Sequence, residues 1–153
     1  MEEAAKEEAA REDVLGAGCC WPQYRIVGAD ITDLPVVARR LANAGLDTRQ
    51  PTLFLSECVL TYVGVEDTAA VLRWCREAFT DAVFVTYEQI HPDDTFGRFM
   101  QAHFTKLGST LKAIRQFPTE ESHRARFRDL GWPAVTTCDM GQFFSQELTD
   151  GER

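Results

Sequence analysis

An α/β domain with a mainly parallel sheet is the fold class that this sequence predicts. Three observations predict it. The runs Pro51–Ser56 and Ala82–Tyr87 are nearly all apolar, the pattern of strands covered on both faces. Stretches with apolar residues at helical spacing lie between and after these runs, so strand and helix alternate. Three successive strand candidates end in an acid: Asp30, Glu57 and Glu88.

In chain order, residues 1–23 stand apart. Glu, Ala, Lys and Arg dominate from Glu2 to Asp13, with almost no large apolar side chain, so no face exists to bury. Gly16-Ala17-Gly18-Cys19-Cys20 breaks any pattern that precedes it. This segment reads as a poorly ordered leader, and 145–153 as a polar tail. Tyr24–Ala29 is the first strand candidate, ending in Asp30. Asp33-Leu34-Pro35 is a helix start, with an acid to cap and a proline in the first turn. That helix runs towards Ala44, and Gly45 suits its C-terminal cap. Pro51–Ser56 is the second strand. Glu66–Phe79 is a helix with Val71, Leu72, Trp74, Cys75 and Phe79 as its inward stripe. Ala82–Tyr87 is the third strand.

Phe96, Phe99, Met100, His103, Phe104 and Leu107 then recur at three- and four-residue spacing, the clearest helical period here, over about Asp94 to Leu107. His103 falls in this stripe and has no partner histidine, so it reads as a core or rim residue rather than a metal ligand. Phe117-Pro118-Thr119 introduces a helix from Glu120 to Leu130, stopped by Gly131 and Pro133. Ala134–Cys138 is a fourth, weaker strand. The order is βαβαβααβ, a doubly wound arrangement.

Composition excludes several functions. The chain has 153 residues, 44% of them hydrophobic and 26% charged, which is ordinary for a single packed domain. No apolar run approaches the roughly 20 residues of a membrane-spanning helix. The five cysteines include no C-x-x-C pair, so reduced thiols in the cytoplasm or nucleus fit better than a disulfide framework or a structural zinc. The net charge of −8 opposes autonomous binding to nucleic acid. Even so, seven basic residues lie between Arg98 and Arg128, against the acids Glu120 and Glu121. They read as solvated helix faces or as a docking surface for an anion. There is no P-loop, no G-x-G-x-x-G and no nucleophile elbow. Cys58 is a poor nucleophile beside Glu57, whose charge raises a thiol pKa.

The strand-end acids carry the functional signal. In open α/β sheets, ligands bind beyond the carboxyl ends of the strands. A row of carboxylates there can accept hydrogen bonds from ribose hydroxyls, an adenine amino group or an ammonium. Gly28 allows the backbone near Asp30 to approach a ligand closely. The bland alternative is that such acids cap the next helix or face water. No second ligand set accompanies them, so no metal site follows.

The motifs Gly28-Ala29-Asp30, Pro51 through Tyr62, Tyr87-Glu88-Gln89, Phe96 through Met100, Gly131-Trp132 and Asp139-Met140 together resemble the leucine carboxyl methyltransferase family. The resemblance covers about Tyr24 to Phe144. Gln101 through Phe104, Gly108-Ser109 and Phe117-Pro118 look more like the tRNA wybutosine-synthesizing branch than the phosphatase-methylating one. The resemblance implies a Rossmann-like class I methyltransferase fold that binds S-adenosyl-L-methionine and methylates a carboxylate. In one branch the acceptor is the modified guanosine of phenylalanine tRNA; in the other it is the C-terminal leucine of a protein phosphatase 2A catalytic subunit. By resemblance, Asp30 and Ile31 match an adenine-side contact, Glu57 an acid beside the cofactor, and Tyr62 an active-site tyrosine near the acceptor. Gly28 belongs to the same cofactor-binding set.

The same resemblance implies an incomplete domain. The family's sheet runs 3-2-1-4-5-7-6, and this chain matches strands 3, 4, 5 and 6. Strands 1, 2 and 7 are expected to be missing. The expectation is therefore a methyltransferase fragment impaired by itself and of low stability. The alternatives are a phosphatase-type enzyme completed by another chain, and a non-catalytic binding fragment.

Overall fold

A computed structural model of the chain describes residues 24–149 and residue 151. The leader expected over 1–23 lies outside the described residues, with Cys19 and Cys20. The elements are α1 (Leu34–Asn43), β1 (Thr52–Glu57), a 3-10 turn (Leu60–Tyr62), α2 (Val65–Ala78), β2 (Ala82–Tyr87), α3 (Thr95–Lys106), α4 (Glu120–Asp129) and a short turn α5 (Met140–Gln142), which runs into a π-helical turn at Phe143–Glu147.

Local chemistry sets these boundaries. The Asp33 side chain accepts from the Val36 amide at 3.2 Å and caps α1. Gly45, at φ +88°, provides the left-handed residue that ends it. Glu66 and Asp67 in the first turn of α2 favour its positive end. Thr119 and Ser122 form a reciprocal capping box on α4: the Thr119 hydroxyl accepts from the Ser122 amide at 3.2 Å, and the Ser122 hydroxyl accepts from the Thr119 amide at 2.9 Å.

The sheet among the described residues is one parallel pair, with β1 and β2 in register from Thr52↔Ala82 to Glu57↔Tyr87. One of its faces carries the core. Phe54 and Phe84 stack at 5.7 Å on that face, and Phe84 meets Phe127 of α4 at 5.7 Å and Trp132 at 6.0 Å. Leu60, Leu72 and Cys75 complete the cluster. Leu72 is fully buried. The opposite face is bare: Leu53, Leu55, Val83, Val85 and Tyr87 all stand exposed, Leu55 to 70%.

Two expected strands do not form. Tyr24–Ala29 and Ala134–Cys138 lie outside any ladder. A strand is a property of a pair, and neither segment has a backbone ladder partner among the described residues. The expected βαβαβααβ order is thus reduced to a single βαβ unit with flanking helices. The stripe of α3 is largely uncovered: Phe96, Phe99 and Leu107 are exposed. His103 lies with them on the rim, stacked on Phe99 at 6.3 Å.

Candidate functional site

Because β1 and β2 are parallel, their carboxyl ends lie side by side. Glu57 is the last residue of β1, exposed to solvent, opposite Tyr87 in the register. The chain leaves β1 sharply. Cys58 adopts φ +50°, and its amide donates to the Tyr87 carbonyl at 2.8 Å. The turn Leu60–Tyr62 follows and leaves Tyr62 half-buried, with its ring 6.0 Å from that of Phe104 in α3. Burial foremost, then the charges of Glu88 and Glu57, pushes the Cys58 thiol up, so it is no nucleophile. Burial pushes Cys75 up to about 12.

Glu88 behaves differently from Glu57. It folds inward, and its Oε1 accepts from the Leu60 amide at 3.1 Å and from the Thr86 hydroxyl at 3.4 Å. Burial raises its pKa, while the Leu60 amide and the charge of Arg126 work against that rise. Arg126, only 6% exposed, stacks its guanidinium over Phe117 at 4.3 Å. His123 is pushed down to about 4 by burial and then by Arg126.

The third acid sits on its own loop before α1. Asp30 Oδ1 accepts from the Thr32 amide at 2.9 Å and the Thr32 hydroxyl at 2.8 Å, and these bonds hold its carboxyl below the usual range. Arg40 donates to the Gly28 carbonyl, and Ile31 is half-buried. The structure thus brings Glu57, Tyr62 and Glu88 together at the strand ends. It fastens Gly28, Asp30 and Ile31 to α1, and no hydrogen bond among the described residues ties that loop to the strand ends.

The donor set suits a nucleoside cofactor. Glu57 is charged and exposed, and Asp30 keeps Oδ2 without a partner among the described residues, so both can accept from hydroxyl or amino groups. Among the described residues there is no group of three His, Cys, Asp or Glu that could hold a metal, and no helix is long and apolar enough to cross a membrane.

Sequence reasoning counted Arg126 only within the basic run and missed its burial, His123 and the groove beside β2. The groove, of about 630 Å³, lies between β2, Phe96 and Met100 of α3, and the segment Val135–Gly141. The signal for Arg126 was its place beside Phe127 on the inward side of α4. Burial and pairing take up part of the basic run from Arg98 to Arg128. Arg126 is buried, Arg124 and Arg128 pair with Glu121, and Arg115 pairs with Asp93.

The family model for leucine carboxyl methyltransferase matches residues 3–76. Over 130 residues the chain is 44% identical to tRNA wybutosine-synthesizing protein 4 of Homo sapiens, across 85% of this chain and 19% of that protein. This chain belongs to the leucine carboxyl methyltransferase family. It is 35% identical over 130 residues to the leucine carboxyl methyltransferase 1 homolog of Arabidopsis thaliana, covering 85% of this chain and 39% of that one. It is 32% identical over 124 residues to leucine carboxyl methyltransferase 1 of Bos taurus, covering 81% of this chain and 37% of the other. Sequence similarity is thus greater to the wybutosine-synthesizing protein than to these leucine carboxyl methyltransferases. The chain spans less than two fifths of the length of each of these three relatives. The family match begins at residue 3, upstream of Tyr24, where the recognised motifs start.

Proposed function

We propose that this chain is part of an S-adenosylmethionine-dependent carboxyl methyltransferase of tRNA wybutosine synthesis, impaired by itself. The observation that carries the reading is the parallel register, which leaves Glu57 exposed at the carboxyl end of β1 with the Tyr62 turn beside it. That edge is where open α/β sheets bind ligands. The 44% identity to a wybutosine-synthesizing protein supports tRNA as the acceptor. In this reading the domain is a partial Rossmann-like sheet, with β1 and β2 as strands 4 and 5. The groove between β2 and the segment Val135–Gly141 supports a slot for one further strand.

Asp30 and Ile31 would hold the adenine end of the cofactor, Gly28 would let the backbone approach it, and Glu57 would accept from its hydroxyls. The cofactor would supply an electrophilic methyl carbon on a sulfonium: a carboxylate oxygen would form the O–C bond of the ester as the C–S bond breaks, and the electron pair would leave with sulfur as a neutral thioether, S-adenosylhomocysteine. A carboxylate is already a nucleophile, so no general base is required and alignment supplies most of the rate. Tyr62 contributes a phenol that can donate to the acceptor carboxylate and orient it.

One observation favours a second reading, a protein phosphatase 2A leucine carboxyl methyltransferase. Within the basic run Arg126 is buried and Arg115, Arg124 and Arg128 pair with Asp93 or Glu121, which lessens the preference of charge for RNA. The test is labelled methyl transfer by the purified chain, to phenylalanine tRNA carrying the unmethylated wybutosine precursor and to a phosphatase C-terminal peptide. The first reading expects weak labelling of the tRNA, lost in Tyr62→Phe. Labelling of the peptide alone would replace it with the second.

A further inference from the structure

The reading along the strand ends treats Glu57 and Glu88 alike, but their geometry separates them. Glu57 faces solvent. Glu88 turns back under the neighbouring strand's exit and accepts from the Leu60 amide at 3.1 Å. We propose that Glu88 is a positioning residue: from the end of β2 it fixes the turn that presents Tyr62. This rests on the reading of Tyr62 as the acceptor-side residue.

The turn is held at three points. Leu60, 2% exposed, anchors its apolar side in the core. The Thr61 carbonyl accepts from the Ala113 amide at 3.1 Å. The remaining attachment is the Leu60 amide, which stands at the start of the turn where no helical carbonyl precedes it. Glu88 Oε1 supplies that acceptor, from the strand paired with β1. The Tyr62 amide then donates to the Val59 carbonyl at 3.1 Å and the Val63 amide to the Leu60 carbonyl at 3.2 Å, so the position of Leu60 propagates directly to Tyr62.

Burial favours the neutral form of Glu88, and the charge of Arg126 opposes that. Hydrogen bonds to a carboxylate are stronger than those to a neutral oxygen. Arg126 provides the compensating charge from α4, and its attraction lowers the pKa that burial raises. A cavity of about 10 Å³ lies among Thr61, Glu88, His123 and Arg126, room for one water, so Glu88 and the guanidinium need not touch to be coupled. Glu88 Oε2, Thr61 Oγ1, His123 Nε2 and Arg126 Nη2 are buried there without a hydrogen-bond partner among the described residues. Among the described residues, the titratable groups around Glu88 are Arg126 and His123 from α4 and Cys58 from the exit of β1, with Tyr87, His91, Glu120, Cys138 and Asp139 along the groove that Glu88 also lines.

The test needs no cofactor, so its failure is distinct from failure of the methyltransferase reading. The Leu60 amide proton is followed by NMR against pH in the full chain. In parallel, the Tyr62 fluorine signal is followed in protein labelled with 3-fluorotyrosine and assigned with Tyr62→Phe. The expected result is one shared inflection for Leu60 and Tyr62, above the ordinary glutamate value of about 4.3. It persists in His123→Gln, disappears in Glu88→Gln, and is absent from Tyr24. A Glu88 that only stabilised the fold would not tie the Tyr62 signal to its own titration. A Leu60 amide with no such inflection, or a Tyr62 signal indifferent to it, would overturn the proposal. The wild-type titrations decide it even if Glu88→Gln does not fold.

Discussion

On one face of the β1–β2 pair, Phe54 and Phe84 pack into a cluster with Leu72, Phe127 and Trp132; on the other, Leu53, Leu55, Val83, Val85 and Tyr87 stand in solvent. The same two strands supply both sets, alternating along the chain, and both sets are apolar. The difference teaches where stability resides. Apolar side chains stabilise by leaving water, at about 25 cal/mol per Å². The first set does so and the second largely does not.

The contrast can be broken at its strongest point by Leu72→Ala. It removes a fully buried side chain and should cost about 3 kcal/mol, read as a lower urea midpoint at unchanged slope. Acid should also act on the packed side. His123 is held neutral down to about 4 in the folded chain, below its ordinary value. The unfolded chain therefore takes up the proton first, and stability falls as pH drops from the ordinary histidine value of about 6.5 towards 4. Glu88 works in the opposite direction. Its raised pKa means that it regains stability as pH falls through that value. The net expectation is a melting temperature lower by at least ~3 °C at pH 5 than at pH 7, with the difference reduced in His123→Gln. Thr119→Ala, which removes the α4 cap, should cost about 1 kcal/mol by the same urea measurement. Leu55→Ser, on the bare face, should change stability by less than about 0.5 kcal/mol and reduce self-association in sedimentation.

The elements legible in the sequence were those whose signals are local. The Asp33 cap, the Gly45 stop and the Thr119 start are side-chain and backbone chemistry within a few residues. The apolar runs of β1 and β2 gave their positions to within a residue. Tyr24–Ala29 and Ala134–Cys138 carry strand-like composition too, but pairing depends on a neighbour that composition does not reveal. The α3 period was real as a helix but left its burial open, because periodicity finds a face without saying what covers it. At the site, a rule about strand ends pointed to Asp30, Glu57 and Glu88 alike, and Tyr62 came from the family resemblance alone. That rule could not tell that Glu88 points inward, since its carboxylate accepts from the Leu60 amide on the exit of the neighbouring strand.

Titration calorimetry of the purified chain with S-adenosylhomocysteine, beside Glu57→Ala, tests the central claim most directly. The account predicts binding that Glu57→Ala weakens at least tenfold while its unfolding transition stays put, because Glu57 is exposed and offers acceptors to the ligand. Binding of equal strength in the two proteins would contradict the placement of the cofactor at the carboxyl end of β1.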